Sequence, residues 1–182
     1  TAYSIDLLTP SEPEELALND ATTSAGKLSN LDDFRQDDRF SSITGKGFAS
    51  VIIDTGIDLD HPFFGPDEDG DGISDRIVYQ YDFADNDSDA SDKNGHGSHV
   101  ASIIGSSNDT YTGIAPDADL IALKVFKDSG SGYFSDLEES LQWVINNADN
   151  YNIASVNLSL GDEKNWTSAA GRYGIGDELA VL

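Results

Sequence analysis

Short apolar runs, separated by Gly- and Asp-rich stretches, set the rhythm of this chain. Phe48 to Ile53 is apolar and β-branched toward its end, too short for a helix and preceded by the Gly45-Lys46-Gly47 turn. It predicts a buried strand. Ile77 to Phe83 alternates as a strand does, and Leu120 to Val125 and Ile153 to Leu158 predict two further core strands. Between the strands the period changes. His96 to Ile104 carries helical spacing at Val100, Ile103 and Ile104, and Phe134 to Ala148 is amphipathic through Leu137, Leu141, Val144 and Ile145. Leu31 to Phe40 places Leu31, Phe34 and Phe40 on one face of a short helix with Asn30 as its N-cap, and a further helix begins near Gly174. Residues 58–75 form a polar loop, and residues 1–30, rich in Ser, Thr, Asp, Glu and Pro, read as an arm or linker.

Strands that alternate with helices predict an α/β fold, a parallel sheet flanked by helices with right-handed crossovers. Such sheets carry their chemistry where strands end at the carboxyl edge, and Asp54 follows directly on the apolar run there. An aspartate at that place also serves as an ordinary turn residue.

Composition narrows the partners. The 182 residues hold 10 Lys+Arg against 34 Asp+Glu, a formal charge of −24. Nucleic acid and anionic membrane both require a basic footprint, so neither is expected as a partner. Cysteine is absent, which excludes disulfides and thiolate chemistry. Without disulfides, cations bound to clustered carboxylates offer another means of stabilisation. No apolar run is long enough to span a bilayer, and Thr1 opens no basic-then-apolar leader. The expected setting is secreted or extracellular.

Four segments occur in order: Asp54-Thr55-Gly56-Ile57-Asp58, His96-Gly97-Ser98-His99-Val100-Ala101, Gly113-Ile114-Ala115-Pro116, and Val156-Asn157-Leu158-Ser159-Leu160-Gly161. Together they resemble the subtilisin-like serine peptidases, the subtilases, over roughly residue 45 to the end. The resemblance implies a serine endopeptidase acting on polypeptides. It makes Asp54 the triad aspartate and His96 the general base, with Asp54 accepting Nδ1–H of the imidazole. Gly95 and Gly97 would let backbone and substrate approach the ring. Gly130, Ser131 and Gly132 on one side, and Ser159, Leu160 and Gly161 on the other, would pair with the substrate backbone by strand addition. Phe134 would stand near the pocket for the fourth residue before the scissile bond. His61 and His99 are taken as structural, because no Glu adjoins His96 to complete a zinc-hydrolase motif.

The family's nucleophile motif, Gly-Thr-Ser-x-Ala-x-Pro, has no match; Thr167-Ser168-Ala169-Ala170 lacks the preceding Gly and the later Pro. The asparagine donor to the oxyanion also has no counterpart. The expectation is therefore an arm at residues 1–30 and a partial peptidase domain at 31–182, subtilisin-like but truncated before the nucleophile half. By itself it would be inactive, with the remainder of its own catalytic domain as a partner. The alternatives are a non-catalytic, calcium-stabilised binding or adhesion module that keeps the fold, and a hydrolase with a His/Asp metal site.

A second signal lies at Asp67-Glu68-Asp69-Gly70-Asp71-Gly72-Ile73-Ser74-Asp75. Asp at positions one, three, five and nine and Gly at six match the start of an EF-hand-type calcium loop. Asp67, Asp69 and Asp71 would ligate by carboxylate, Ile73 by its carbonyl and Asp75 through water. Position twelve is Val78, so the bidentate Glu is missing and a later carboxylate, Asp82 or Asp85, would have to complete the shell. The alternative is a solvated acidic loop.

Overall fold

In a computed structural model, residues 4–7 and 29–161 are described. The elements are β1 (Ser4–Leu7), α1 (Leu31–Gln36), β2 (Ala49–Asp54), β3 (Ile77–Asp82), α2 (His96–Gly105), β4 (Asp119–Lys124), β5 (Ser131–Tyr133), α3 (Phe134–Asn147), β6 (Ile153–Asn157) and β7 (Leu160–Gly161). One 3-10 turn, Pro62–Phe64, follows β2. The helix predicted from Gly174 and the Thr167–Ala170 stretch lie outside the described residues.

β3, β4, β2 and β6 form a sheet in that order, with all neighbours parallel. All positions of β2 are buried because helices cover both of its faces. Val51 and Ile53 join Ile121, Leu123 and, from α3, Phe134, Leu137 and Val144 in one core cluster. Ile52 points the other way and packs with Leu120, Ala122 and, from α2, Val100 and Ala101. Period-2 alternation in the strand thus meets period-3.6 stripes on two helices. Tyr79 of β3 stacks on Trp143 of α3 at 4.2 Å between centroids, which fixes the helix against the sheet.

Three expectations change. Ile103 and Ile145, assigned to the apolar faces of their helices, are exposed. Each lies about 100° around the helix from the neighbour that is buried or packed, Ile104 and Val144 respectively. α1 stops at Gln36, and Asn30 takes a left-handed conformation and makes no side-chain cap bond. Phe34 still stacks on Phe40 at 5.0 Å across the turn that follows. Among the described residues β6 lies at the edge of the sheet, where the sequence predicts a core strand. Among the described residues only β2 pairs with it, so Ala154, Ser155 and Val156 are exposed.

A second sheet has the order β5-β1-β7. Residues 4–7, predicted to lie in an irregular arm, run antiparallel to both neighbours: Ser4, Ile5 and Asp6 face Tyr133, Gly132 and Ser131, while Asp6 and Leu7 face Gly161 and Leu160. β5 follows the carboxyl end of β4, and β7 follows that of β6. The small sheet therefore belongs to the edge at which Asp54 ends β2.

Candidate active site

β2 delivers Asp54 to the carboxyl edge, fully buried, and α2 begins at His96. Nδ1 of His96 lies 2.8 Å from Oδ1 of Asp54. The same oxygen accepts from the Thr55 N–H at 2.7 Å. Oδ2 of Asp54 is buried and has no hydrogen-bond partner among the described residues. Burial raises the Asp54 pKa above the usual aspartate range, and the hydrogen bonds from His96 and Thr55 only partly oppose this. The His96 ring is itself mostly buried, at 12% side-chain exposure.

The close approach of α2 to β2 depends on Gly97. A Cβ there would fall inside the carbonyl oxygen of Gly56 and lie 3.1 Å from Thr55 Oγ1 and 3.2 Å from the Asp54 Cβ. Gly97 was expected to let backbone and substrate approach; the close backbone is the Gly56 carbonyl, so the glycine serves the packing of helix on turn. Gly95 lies in the left-handed region with φ 97° and opens the helix without a side-chain cap.

The N–H groups of the first helical turn find acceptors elsewhere. His96 N donates to Asn94 Oδ1 at 3.3 Å, Gly97 N to Thr55 Oγ1 at 2.9 Å, and Ser98 N to Asp92 Oδ2 at 2.9 Å. Asp92 and Thr55 carried no functional expectation. Their only sequence signal is position, Asp92 four residues before His96 and Thr55 directly after Asp54.

Lys124 was also missed; it is the lone cation in an apolar run. It is buried at the end of β4, 2.7 Å from Asp128, 3.7 Å from Asp82 and 3.1 Å from the Ser91 carbonyl. Burial works against its charge, but Asp128, Asp82 and Asp92 together hold its pKa above the usual lysine value.

Gly130, Ser131 and Gly132 form the turn into β5 and its first residues, and Leu160 and Gly161 form β7, with β1 between them. Ser159 accepts from Asn157 Nδ2 at 2.9 Å. Phe134, expected near a substrate pocket, is the first residue of α3 and is buried in the core. His61 accepts from the Phe63 N–H at 3.2 Å and packs edge-on against its ring, while His99 is exposed.

The acidic loop brings Asp67, Asp69 and Asp71 together, with one carboxylate oxygen of each within 4.8 Å of the others. This is the sole group of three or more potential ligands among the described residues. Asp67 accepts from Gly70 N at 2.7 Å and Gly72 N at 2.9 Å. These bonds, that of Gly72 foremost, lower its pKa. Asp71 accepts from Ile73 N at 2.8 Å, and Asp75 turns to Glu68 N at 3.3 Å. The oxygen-only donor set fits a hard cation such as calcium. Neither Asp82 nor Asp85 joins this group. Asp82 is engaged by Ala84 N, Asp85 N and Lys124.

The site is thus an Asp–His pair at the carboxyl edge of a parallel α/β sheet, beside a three-stranded antiparallel sheet, which defines its class. Comparison with known proteins specifies the class. A model of the Subtilase family matches residues 45–181. The chain is 39% identical over 121 residues to alkaline serine exoprotease A of Vibrio alginolyticus, covering 66% of this chain and 20% of that protein. It is 38% identical over 129 residues to serine protease AprX of Bacillus subtilis, covering 67% and 27%. A crystal structure of a cold adapted subtilisin-like serine proteinase superposes with a TM-score of 0.55 at 36% identity, covering 76% of this chain and 45% of that one. The chain belongs to the subtilase family. It spans a fifth to about a quarter of the length of these two curated relatives.

Proposed function

We propose that this chain is the part of a serine endopeptidase that supplies the acid and base of an Asp-His-Ser triad. The observation that carries the reading is the 2.8 Å contact between His96 Nδ1 and Asp54 Oδ1 at the strand edge. Asp54 holds the imidazole in the tautomer with its proton on Nδ1, so that Nε2 is the basic nitrogen. His96 then takes the proton of a serine hydroxyl as that oxygen attacks the scissile carbonyl, and Asp54 stabilises the imidazolium formed. The serine and the asparagine donor to the oxyanion come from the remainder of the catalytic domain, since this sequence contains neither motif. Residues 1–182 by themselves are inactive.

The substrate is a polypeptide that adds as a strand between Gly130–Gly132 and Ser159–Gly161. β1 supports this path, because a segment of the chain itself pairs antiparallel with both sides. While seated there it competes with substrate. The Asp67–Asp75 loop binds calcium through Asp67, Asp69, Asp71, the Ile73 carbonyl and Asp75 through water, and calcium holds the loop closed against the repulsion of its own carboxylates. The protein acts outside the cell, with no nucleic acid or membrane partner. Among the described residues no helix is long and apolar enough to cross a membrane.

Peptide hydrolysis by the full-length protein, with Asp54→Asn and His96→Ala variants, tests the reading. Loss of nearly all turnover in both, with unchanged melting profiles, is expected. Near-normal kcat in either variant overturns it. A full-length protein that neither cleaves peptides nor reacts with a fluorophosphonate, yet still binds calcium, points to the non-catalytic module.

A further inference from the structure

We propose that Asp92 is a positioning residue for His96, the residue that locks the histidine-bearing helix onto the turn after the aspartate strand. The inference rests on the peptidase reading above.

The geometry is that of a two-sided clamp. Oδ1 of Asp92 accepts from Thr55 Oγ1, Asn94 N and Gly95 N, each at 2.9 Å. Oδ2 accepts from Ser98 N at 2.9 Å and Ser98 Oγ at 2.6 Å. One oxygen thus grips the residue after Asp54 and the turn leading into α2, and the other grips the helix itself. The two partners extend the clamp. Thr55 Oγ1 donates to Asp92 and in turn accepts from Gly97 N at 2.9 Å. Ser98 Oγ donates to Asp92 and accepts from Asp58 N at 2.9 Å. The main chain adds Asp92 N to the Ile57 carbonyl at 3.0 Å. Both ends of the Asp54–Asp58 turn are therefore tied to the first turn of α2 through one half-buried carboxylate.

The helix depends on this arrangement. Its N-cap, Gly95, has no side chain to satisfy the orphan N–H groups, so Asp92 acts as a cap from outside the helix. Its negative charge also faces the positive end of the helix dipole. Burial alone would raise its pKa, but the bonds from Ser98, Gly95 and Asn94 outweigh burial and keep it low, so the clamp is ionised at neutral pH. Asp92 lies four residues before His96 and acts on it only through backbone and Thr55. Its role is to fix the ring relative to Asp54.

The test uses the full-length protein and counts active sites by fluorophosphonate titration, so that kcat refers to folded enzyme only. Asp92→Ala releases both sides of the clamp. It is expected to lower kcat per titrated site by about 10²-fold, the cost of an ångström-scale misplacement, and to leave KM within about twofold. Asp92→Asn keeps one carbonyl acceptor and is expected to fall between Asp92→Ala and wild type. The His96 Nδ1–H proton resonance should move upfield and broaden in the same order. A control at the exposed Asp89, Asp89→Asn, should match wild type. If Asp92→Ala does not fold, Asp92→Asn and Ser98→Ala are read by the same criterion. An unchanged kcat per site, or a loss confined to KM or to the fraction folded, overturns the proposal. If Asp54→Asn and His96→Ala also retain turnover, the peptidase reading itself has failed. If those two are dead and Asp92→Ala is fully active, only this inference has.

Discussion

Gly97→Ala sets two effects of opposite sign against each other. Gly97 is the second residue of α2 and has ordinary helical geometry. Helix propensity by itself predicts that alanine stabilises the protein by about 1 kcal/mol. Packing predicts the reverse. The added Cβ would overlap the Gly56 carbonyl oxygen, a backbone atom that no rotamer change can move, and would press on Thr55 Oγ1 and the Asp54 Cβ. Restoring van der Waals separation requires α2 to retreat by on the order of 1 Å. Overpacking of this kind costs about 1–3 kcal/mol, so packing outweighs propensity and the net change is destabilising. The same retreat stretches the 2.8 Å contact between His96 and Asp54 beyond hydrogen-bond length. The expected result is a Tm lower by a few degrees and a kcat lower by about 10²-fold, as an ångström of misplacement predicts. Thermal melts and peptide hydrolysis on the full-length protein measure the two separately. A Gly97→Ala variant at least as stable as wild type, with unchanged kcat, would show that propensity prevails and that the helix does not rest on this contact.

Four other outcomes are expected. Asp54→Asn should cost about 10⁴-fold in kcat by favouring the wrong imidazole tautomer. Because burial raises the Asp54 pKa, its favourable contribution to stability is complete below the unfolded-state value of about 4 and is lost as pH rises through the higher folded value. The Tm of Asp54→Asn relative to wild type should therefore be higher at pH 7 than at pH 4, and a relative Tm that falls with rising pH would contradict this. Removing calcium with a chelator should lower Tm by about 5–10 °C if the loop is near saturation, and Asp69→Asn should abolish that difference; a Tm indifferent to chelator excludes a structural ion there. Deleting residues 1–7 should lower the KM for peptide substrates at least tenfold, since a tethered segment competes at an effective concentration of about 1 mM; an unchanged KM would mean that β1 does not hold the substrate path.

What could be read from the sequence follows from how local each signal is. The parallel sheet was legible because β2 and β4 carry their burial in near-unbroken runs and α3 carries its own in a helical stripe through Phe134, Leu137 and Val144, and the two faces of β2 need only the alternation of Val51, Ile52 and Ile53. The family was legible because four short motifs stand in order around Asp54 and His96. Ile103 and Ile145 were misassigned for the opposite reason. A hydrophobic residue at the margin of a helical stripe is buried only if a neighbouring element covers it, and periodicity does not report the neighbour. β6 shows the same limit, since its composition is that of a core strand and its exposure is set by what pairs with it. β1 was hidden because strand addition draws its affinity from main-chain hydrogen bonds, which leave little trace in side-chain pattern. Asp92 was hidden because its partners come from two segments about 40 residues apart, Thr55 and Ser98, and only the folded chain brings them to one carboxylate. Of the site, the reacting groups are thus local and readable, while the groups that hold them in register are not. A substitution that preserves every motif in this chain can still disable the site if it breaks the join between the Asp54–Asp58 turn and α2.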